Sequence, residues 1–272
     1  MRRRHYLFAF MAAVLGAPYG ARAQQAPKVR IGWLSTAPHP LIQDFRQGMQ
    51  ELGYAAEHTA IDERYGDAAT LPALAAELVR TKVGVIVTSG SLAGMAAKQS
   101  TSSIPIVAIT GDPVGAGLVD SLARPGGNVT GLSMMTADII VKWVELLREL
   151  VPQLSRIAIL GDGTAASRAQ WAGMEAAGPS FGVQLRHVEA PSAASIDRAF
   201  AAAVKERAGG IVLLPSPLFA AQAARIVRLA AEHRIPAMYE HGLFVEAGGL
   251  ISYGPDLRQV FRRAAVYVDK IL

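Results

Sequence analysis

Residues 83–110, VGVIVTSGSLAGMAAKQSTSSIPIVAIT, contain one complete strand–helix–strand unit. The runs at 83–88 and 104–109 are largely apolar and β-branched, as strands of a parallel sheet buried on both faces must be. Between them, residues 92–101 space their apolar side chains at the three-to-four period of a helix. The alternation continues outward in both directions. It predicts further strands at 29–34, 57–61, 128–133, 157–160, 184–188, 210–214, 235–239 and 250–254. Helices are predicted at 41–52, 71–81, 139–150, 167–181, 195–206, 219–233 and 256–272. This is the pattern of βαβ units and makes the chain α/β, with parallel sheets. The series breaks after NVTGLS (128–133), which follows the Gly/Pro-rich RPGG, and restarts at Ile157 behind a long helix. Two lobes are therefore expected. The first comprises 28–134 plus 254–272 and the second 135–253, with crossings at 134–137 and 250–255.

The first 25 residues, MRRRHYLFAFMAAVLGAPYGARAQQ, read as an export signal. Arg2, Arg3 and Arg4 form the basic start, residues 7–16 the apolar run, and Ala21-Arg22-Ala23 the cleavage site, so that 1–23 is the signal peptide. An uncleaved membrane anchor is the alternative. The apolar run is far shorter than the ~20 residues that span a bilayer, and Pro18 and Gly20 break it. The arginine run leaves the general and the twin-arginine export routes both open. The signal holds four arginines (2, 3, 4 and 22) and no acid, so its removal takes the formal net charge from +5 to +1. A near-neutral mature chain lacks the dense basic surface that nucleic acid demands. With no cysteine, the chain has no disulfide, no Cys-ligated metal, no thiol catalysis and no site for a lipid anchor on sulfur.

Three strand-to-helix turns carry the residues that could do chemistry. Gly161-Asp162-Gly163-Thr164-Ala165-Ala166 follows IAIL and matches the G-x-G-x-x-A dinucleotide fingerprint, with Glu189 at the end of the next strand. Export from the cytoplasm argues against that cofactor, and glycine serves tight turns in any α/β chain. The helix start there still offers free N–H groups to an anion. Thr88-Ser89-Gly90-Ser91 opens a helix where hydroxyls and amides could hold a carboxylate; simple capping by Ser89 or Ser91 is the other reading. Gly90-Ser91-Leu92-Ala93-Gly94 has the wrong spacing for a nucleophile elbow. Thr110-Gly111-Asp112-Pro113 places an aspartate at a strand's carboxyl end, suited to a ligand ammonium or to initiating a turn. Histidines 39, 58, 187, 233 and 241 are scattered without ligand spacing, so no metal site is expected. Among the aromatics, Tyr65, Tyr239 and Tyr253 fall at or just past expected strand ends and are the candidates for a ligand wall.

The segment TGDPVGAGLVDSLARPGGNVTGLS (110–133) closely resembles the strand–loop–strand of the periplasmic substrate-binding components of ABC transporters in the TrpX-like group. IGWLSTAPHPLIQDFRQGMQELGY (31–54), KWVELLRELVPQLSRIAILGD (142–162) and IPAMYEHGLFVEAGGLISYGPDLRQVFRRAAVYVDKIL (235–272) match as well, so the similarity spans the mature chain. The resemblance implies a type I periplasmic binding protein fold: two Rossmann-like lobes joined by hinge strands, with a small ligand in the cleft. It implies contacts from Thr36, Ser89, Ser91 and Asp112 in the first lobe, and from Asp162, Ser216 and Tyr239 or Glu240 in the second. For an amino-acid ligand, hydroxyls and helix amides would hold the carboxylate, an acid the ammonium, and aromatics the side chain. Relatives continue past the last helix with a basic linker, a strand and a short helix. Against that pattern the chain reads as C-terminally truncated, and the turn at 161–167 also differs.

Together these observations predict a non-catalytic periplasmic binding protein without cofactor. It would capture an amino acid, aromatic ones included, or a small carboxylate, and as a monomer would deliver it to an inner-membrane ABC permease. Two rivals remain at this stage. One is a secreted hydrolase using Asp112, Asp162 or Glu240, and the other is a ligand-sensing partner of a membrane receptor.

Overall fold

The computed structural model describes residues 29–134 and 136–272. The expected export signal at 1–23 lies outside the described residues. The first series runs β1 (Val29–Ser35), α1 (Ile42–Glu51), β2 (Thr59–Tyr65), α2 (Leu71–Arg80), β3 (Val85–Ser89), α3 (Ser91–Ser100), β4 (Ile106–Thr110) and β5 (Val129–Ser133). After α4 (Thr136–Leu150) the second series runs β6 (Arg156–Gly161), α5 (Ala165–Phe181), β7 (Gln184–Glu189), α6 (Ile196–Lys205) and β8 (Gly210–Leu213). It continues through α7 (Pro217–Ala221), α8 (Ala223–Glu232), β9 (Ala237–Tyr239), α9 (Gly242–Glu246) and β10 (Ile251–Ser252) to α10 (Leu257–Ile271). The single helix predicted over 219–233 is two helices, because the backbone leaves helical geometry at Gln222, with φ −110° and ψ 16°. The predicted strand 57–61 begins later and runs on to Tyr65, held by in-register pairing with β1 as far as Ser35.

The strands form two five-stranded sheets, β2-β1-β3-β4-β5 and β7-β6-β8-β9-β10, and every pairing in both is parallel. The two lobes thus repeat one topology. In each sheet the order reverses beside the first strand, between β1 and β3 and between β6 and β8. At such a point the loops leaving adjacent strand ends diverge and open a crevice. Strands β3 and β4 are buried along their whole length, which accounts for their continuous apolar sequence.

The chain crosses from the first sheet to the second after β5 and returns after β10. The returning α10 is capped by Asp256, whose side chain accepts from the Arg258 and Gln259 amides. Its apolar stripe of Leu257, Phe261, Ala264, Ala265 and Val268 follows the helical period. It packs into one core with Ile31, Trp33, Phe45, Val85 and Val107. Trp33 sits between two rings, 5.4 Å from Phe45 and 5.9 Å from Phe261 between centroids. Helices α1 and α10 approach so closely that a Cβ on Gly48 would lie 2.9 Å from the Arg262 carbonyl oxygen and 3.0 Å from Ala265 Cβ. Gly48→Val should therefore destabilise the protein by about 1–3 kcal/mol, the scale of an overpacked core. Urea denaturation checks this; an unchanged midpoint would mean that α10 shifts freely on α1.

Candidate functional site

The carboxyl ends of both sheets face one another, and the loops that leave them enclose a polar cavity of about 60 Å³. From the first lobe come Thr36 and His39 after β1, Ser89, Gly90 and Ser91 at the β3–α3 turn, and Thr110 at the end of β4. The second lobe supplies Asp162, Thr164, Ser167 and Gln170 from the β6–α5 turn, Ser216 after β8, and Glu240 and His241 after β9. Phe261 of α10 closes one wall.

Local sequence explains each position. Gly90, not a serine, is the N-cap of α3, and no side chain caps that helix. Its leading amides therefore have no side-chain acceptor. The Ser91 hydroxyl instead lies 2.6 Å from Thr110 Oγ1, tying the start of α3 to the end of β4. Ser216 does act as a cap, its hydroxyl accepting from the Leu218 amide. Asp162 Oδ1 accepts from the Thr164 N–H at 3.0 Å, which sets the turn into α5. Glu240 Oε1 receives the Ser216 N–H at 3.4 Å.

The cavity holds polar atoms that the fold leaves unpaired. Thr36 Oγ1, Ser167 Oγ, Gln170 Oε1 and both ring nitrogens of His241 are buried without a hydrogen-bond partner. His241 Nε2 comes within 3.4 Å of Glu240 Oε1, but the alignment is not that of a hydrogen bond. His39 Nδ1 accepts from the Leu41 N–H, which puts the ring proton on Nε2, and the ring stacks on Phe261 at 4.5 Å. Burial, and next the charge of His241, push the His39 pKa down to about 3. Asp162 and Glu240 are the carboxylates of the lining, and no lysine or arginine joins them.

Of the residues expected from sequence, the fold brings together Thr36, Ser89, Ser91, Asp162, Ser216 and Glu240. Four others lie elsewhere. Asp112 faces a neighbouring chamber, and its Oδ1 is taken by the Val114 and Gly115 amides, the turn-forming role. Tyr239 points to the opposite face of β9 from the cavity. It is 1% exposed, stacks on Phe244 at 4.8 Å, and burial pushes its pKa up to about 12. Tyr65 leans on the first-lobe core and donates its hydroxyl to Glu63. Tyr253 is 45% exposed; its carbonyl accepts from the Trp143 indole N–H and its own N–H donates to the Tyr239 carbonyl. The aromatic wall is instead Phe261 with His39. Neither His39 nor His241 carries a metal-ligand spacing in the sequence, and each comes into the cavity from a loop after a strand end. The dinucleotide fingerprint becomes the Asp162 turn of this cavity. Among the described residues no group of three or more His, Asp and Glu could hold a metal ion.

Residues 37–272 match the family described as ABC transporter substrate binding protein. A Clostridioides difficile protein named tyrosine-binding protein is 33% identical over 139 residues, 48% of this chain. The match spans about two fifths (39%) of that relative's length. A Vibrio cholerae conserved domain protein of known structure is 26% identical with a TM-score of 0.79, covering 90% of this chain and 84% of its own. The L-Trp complex of an ABC domain from Streptococcus pneumonia is 23% identical with a TM-score of 0.76 and the same coverage, a likeness of fold.

Two predictions test this geometry. Gly90 has φ +89°, and a Cβ there would lie 3.1 Å from Pro217 Cγ, one of the points where the lobes touch. Gly90→Ala should cost about 1–3 kcal/mol through backbone strain and widen the lobes in small-angle scattering. An unchanged profile would mean that Pro217 gives way. For His39, the native state binds fewer protons than the unfolded state between about pH 3 and 6.5. Stability therefore falls as pH drops through that window, by up to about 1.4 kcal/mol per pH unit. Urea midpoints from pH 7 to 4 should show this slope, and His39→Gln should flatten it.

Proposed function

Since the chain belongs to the ABC transporter substrate binding protein family, whose members bind rather than transform their ligands, we propose that it captures an amino acid between its lobes and delivers it to an inner-membrane permease. The observation that carries the choice of ligand is the charge of the polar cavity. Two carboxylates and no lysine or arginine line it, while hydroxyls and the uncapped amides of α3 lie across from them. Asp162 and Glu240 suit an ammonium group. Ser89, Ser91, Thr110 and the start of α3 suit a carboxylate, helped by the helix dipole. A purely anionic solute would meet two like charges with no compensating cation, which disfavours the small-carboxylate alternative. The ligands of two relatives, tyrosine and L-Trp, support the same class.

In this reading residues 28–134 and 254–272 move as one body and 135–253 as the other. A ligand touching both stabilises the closed form, which the permease would recognise. The protein would work in the periplasm as a monomer, exported by its cleavable signal.

Isothermal titration with free amino acids and their deaminated analogues tests the assignment. Free amino acids should bind and the deaminated acids should not. Asp162→Asn and Glu240→Gln should each weaken binding at least tenfold, as loss of a charged hydrogen bond of about 1.5–3 kcal/mol implies. Equal affinity for the deaminated acids, with both variants unaffected, would overturn it.

A further inference from the structure

We propose that the solute is elongated and amphipathic, with its charged head in the polar cavity and an apolar tail lying along α5 in a second chamber between the lobes. This deepens the amino-acid reading and rests on it for the head group. The polar cavity, at about 60 Å³, is far smaller than a typical small-molecule site and takes a head group rather than a whole elongated solute. Next to it is a chamber of about 360 Å³, which shares Ser91, Leu92, Ala166 and Gln170 with it. That volume is within the ~300–1,000 Å³ range of small-molecule sites. The two spaces join where α3 and α5 begin.

The chamber's chemistry differs from that of the cavity. Leu92 and Met95 of α3 face Met174 of α5, and no aromatic ring lines the space. Asp112 is its one ionisable lining residue, already engaged by two backbone amides. Along α5 the wall is Ala165, Ala166, Ala169 and Gly173, with no side chain larger than methyl, together with the longer side chains of Gln170 and Met174. From Ala166 to Met174 the helix rises about 12 Å, at ~1.5 Å per residue. A wall of that length, largely of small residues, with the flexible side chains of Leu92 and Met95 across from it, fits a linear chain better than a compact group. At the head end, the unpartnered atoms of Ser167 and His241, each 3% exposed, fix which end is polar.

The test is calorimetric titration of the full chain with straight-chain 2-amino acids from 2-aminobutanoate to 2-aminodecanoate, for the wild type and Gly173→Leu. Nothing lies within 4 Å of a Cβ at Gly173, and leucine favours the helix, so the variant adds an apolar side chain to the chamber's wall without straining the backbone. Wild-type affinity should rise about fourfold per methylene until the chamber is full. In Gly173→Leu the rise should stop at shorter chains, with 2-aminobutanoate binding unchanged. Flat wild-type affinity along the series, or long-chain affinities that Gly173→Leu does not lower, would overturn the tail assignment. Continued binding of 2-aminobutanoate would then leave the amino-acid reading standing. Binding by no member of the series would overturn the tail assignment, and the amino-acid reading would then stand or fall on the titration with the free amino acids and their deaminated analogues.

Discussion

The packing of Phe261 against Trp33, Phe45 and His39 makes one ring both part of the first-lobe core and part of the cleft wall. Phe261 is 1% exposed, and burying such a ring contributes about 1.5–3 kcal/mol. It arrives on α10 only after the chain has built the entire second lobe. The first core is therefore completed by a contact very distant in sequence, with the loop-closure cost that such contacts carry. The same ring desolvates His39 and holds it neutral in the cavity wall. Folding of the first lobe and the electrostatics of the cleft are thus coupled through one side chain.

The repeated strand order of the two sheets then decides where the polar groups go. In each lobe the reversal of order opens a crevice at the carboxyl ends of the strands, and the returning α10 packs into the first-lobe core and lends Leu257 and Phe261 to the cavity between them. Every loop that enters the cavity follows a strand end, so short side chains such as Thr36, Ser89, Asp162 and Ser216 need no long reach to meet. The arrangement costs stability. Each buried polar atom left without a partner, as at Thr36, Ser167, Gln170 and His241, is unfavourable by about 1–3 kcal/mol. A ligand that bonds to these atoms offsets that penalty, and since they lie on both lobes it does so best when the lobes are together. Closure and recognition then share one physical cause.

The sequence resolved the architecture and much of the cavity, and its misses have physical reasons. Periodicity located the parallel strands because β3 and β4 are buried on both faces and cannot hide their apolar runs. Ser89, Ser91, Asp162 and Ser216 stood out because they sit at strand-to-helix turns, where backbone chemistry restricts the residue type. Tyr239 and Glu240 are neighbours in sequence, yet only the second reaches the cavity: Tyr239 ends β9 in the second-lobe core against Phe244, and Glu240 stands just past the strand. Asp112 suits two roles by sequence, and the geometry gives its Oδ1 to the turn. His39 and His241 carry no spacing signal because they meet only across the cleft, from opposite ends of the chain.

What the sequence by itself determined was the α/β class, the two strand–helix series and the family, all of which are written in local period and contiguous motif. Only the tertiary structure decided which polar groups converge, that no lysine or arginine stands among them, that Phe261 supplies the aromatic wall, and that a long apolar chamber lies beside α5. Those properties depend on side chains brought together from residues as far apart as 36 and 261. One-dimensional pattern carries burial and period, whereas the direction and company of a side chain exist only once the two sheets face each other.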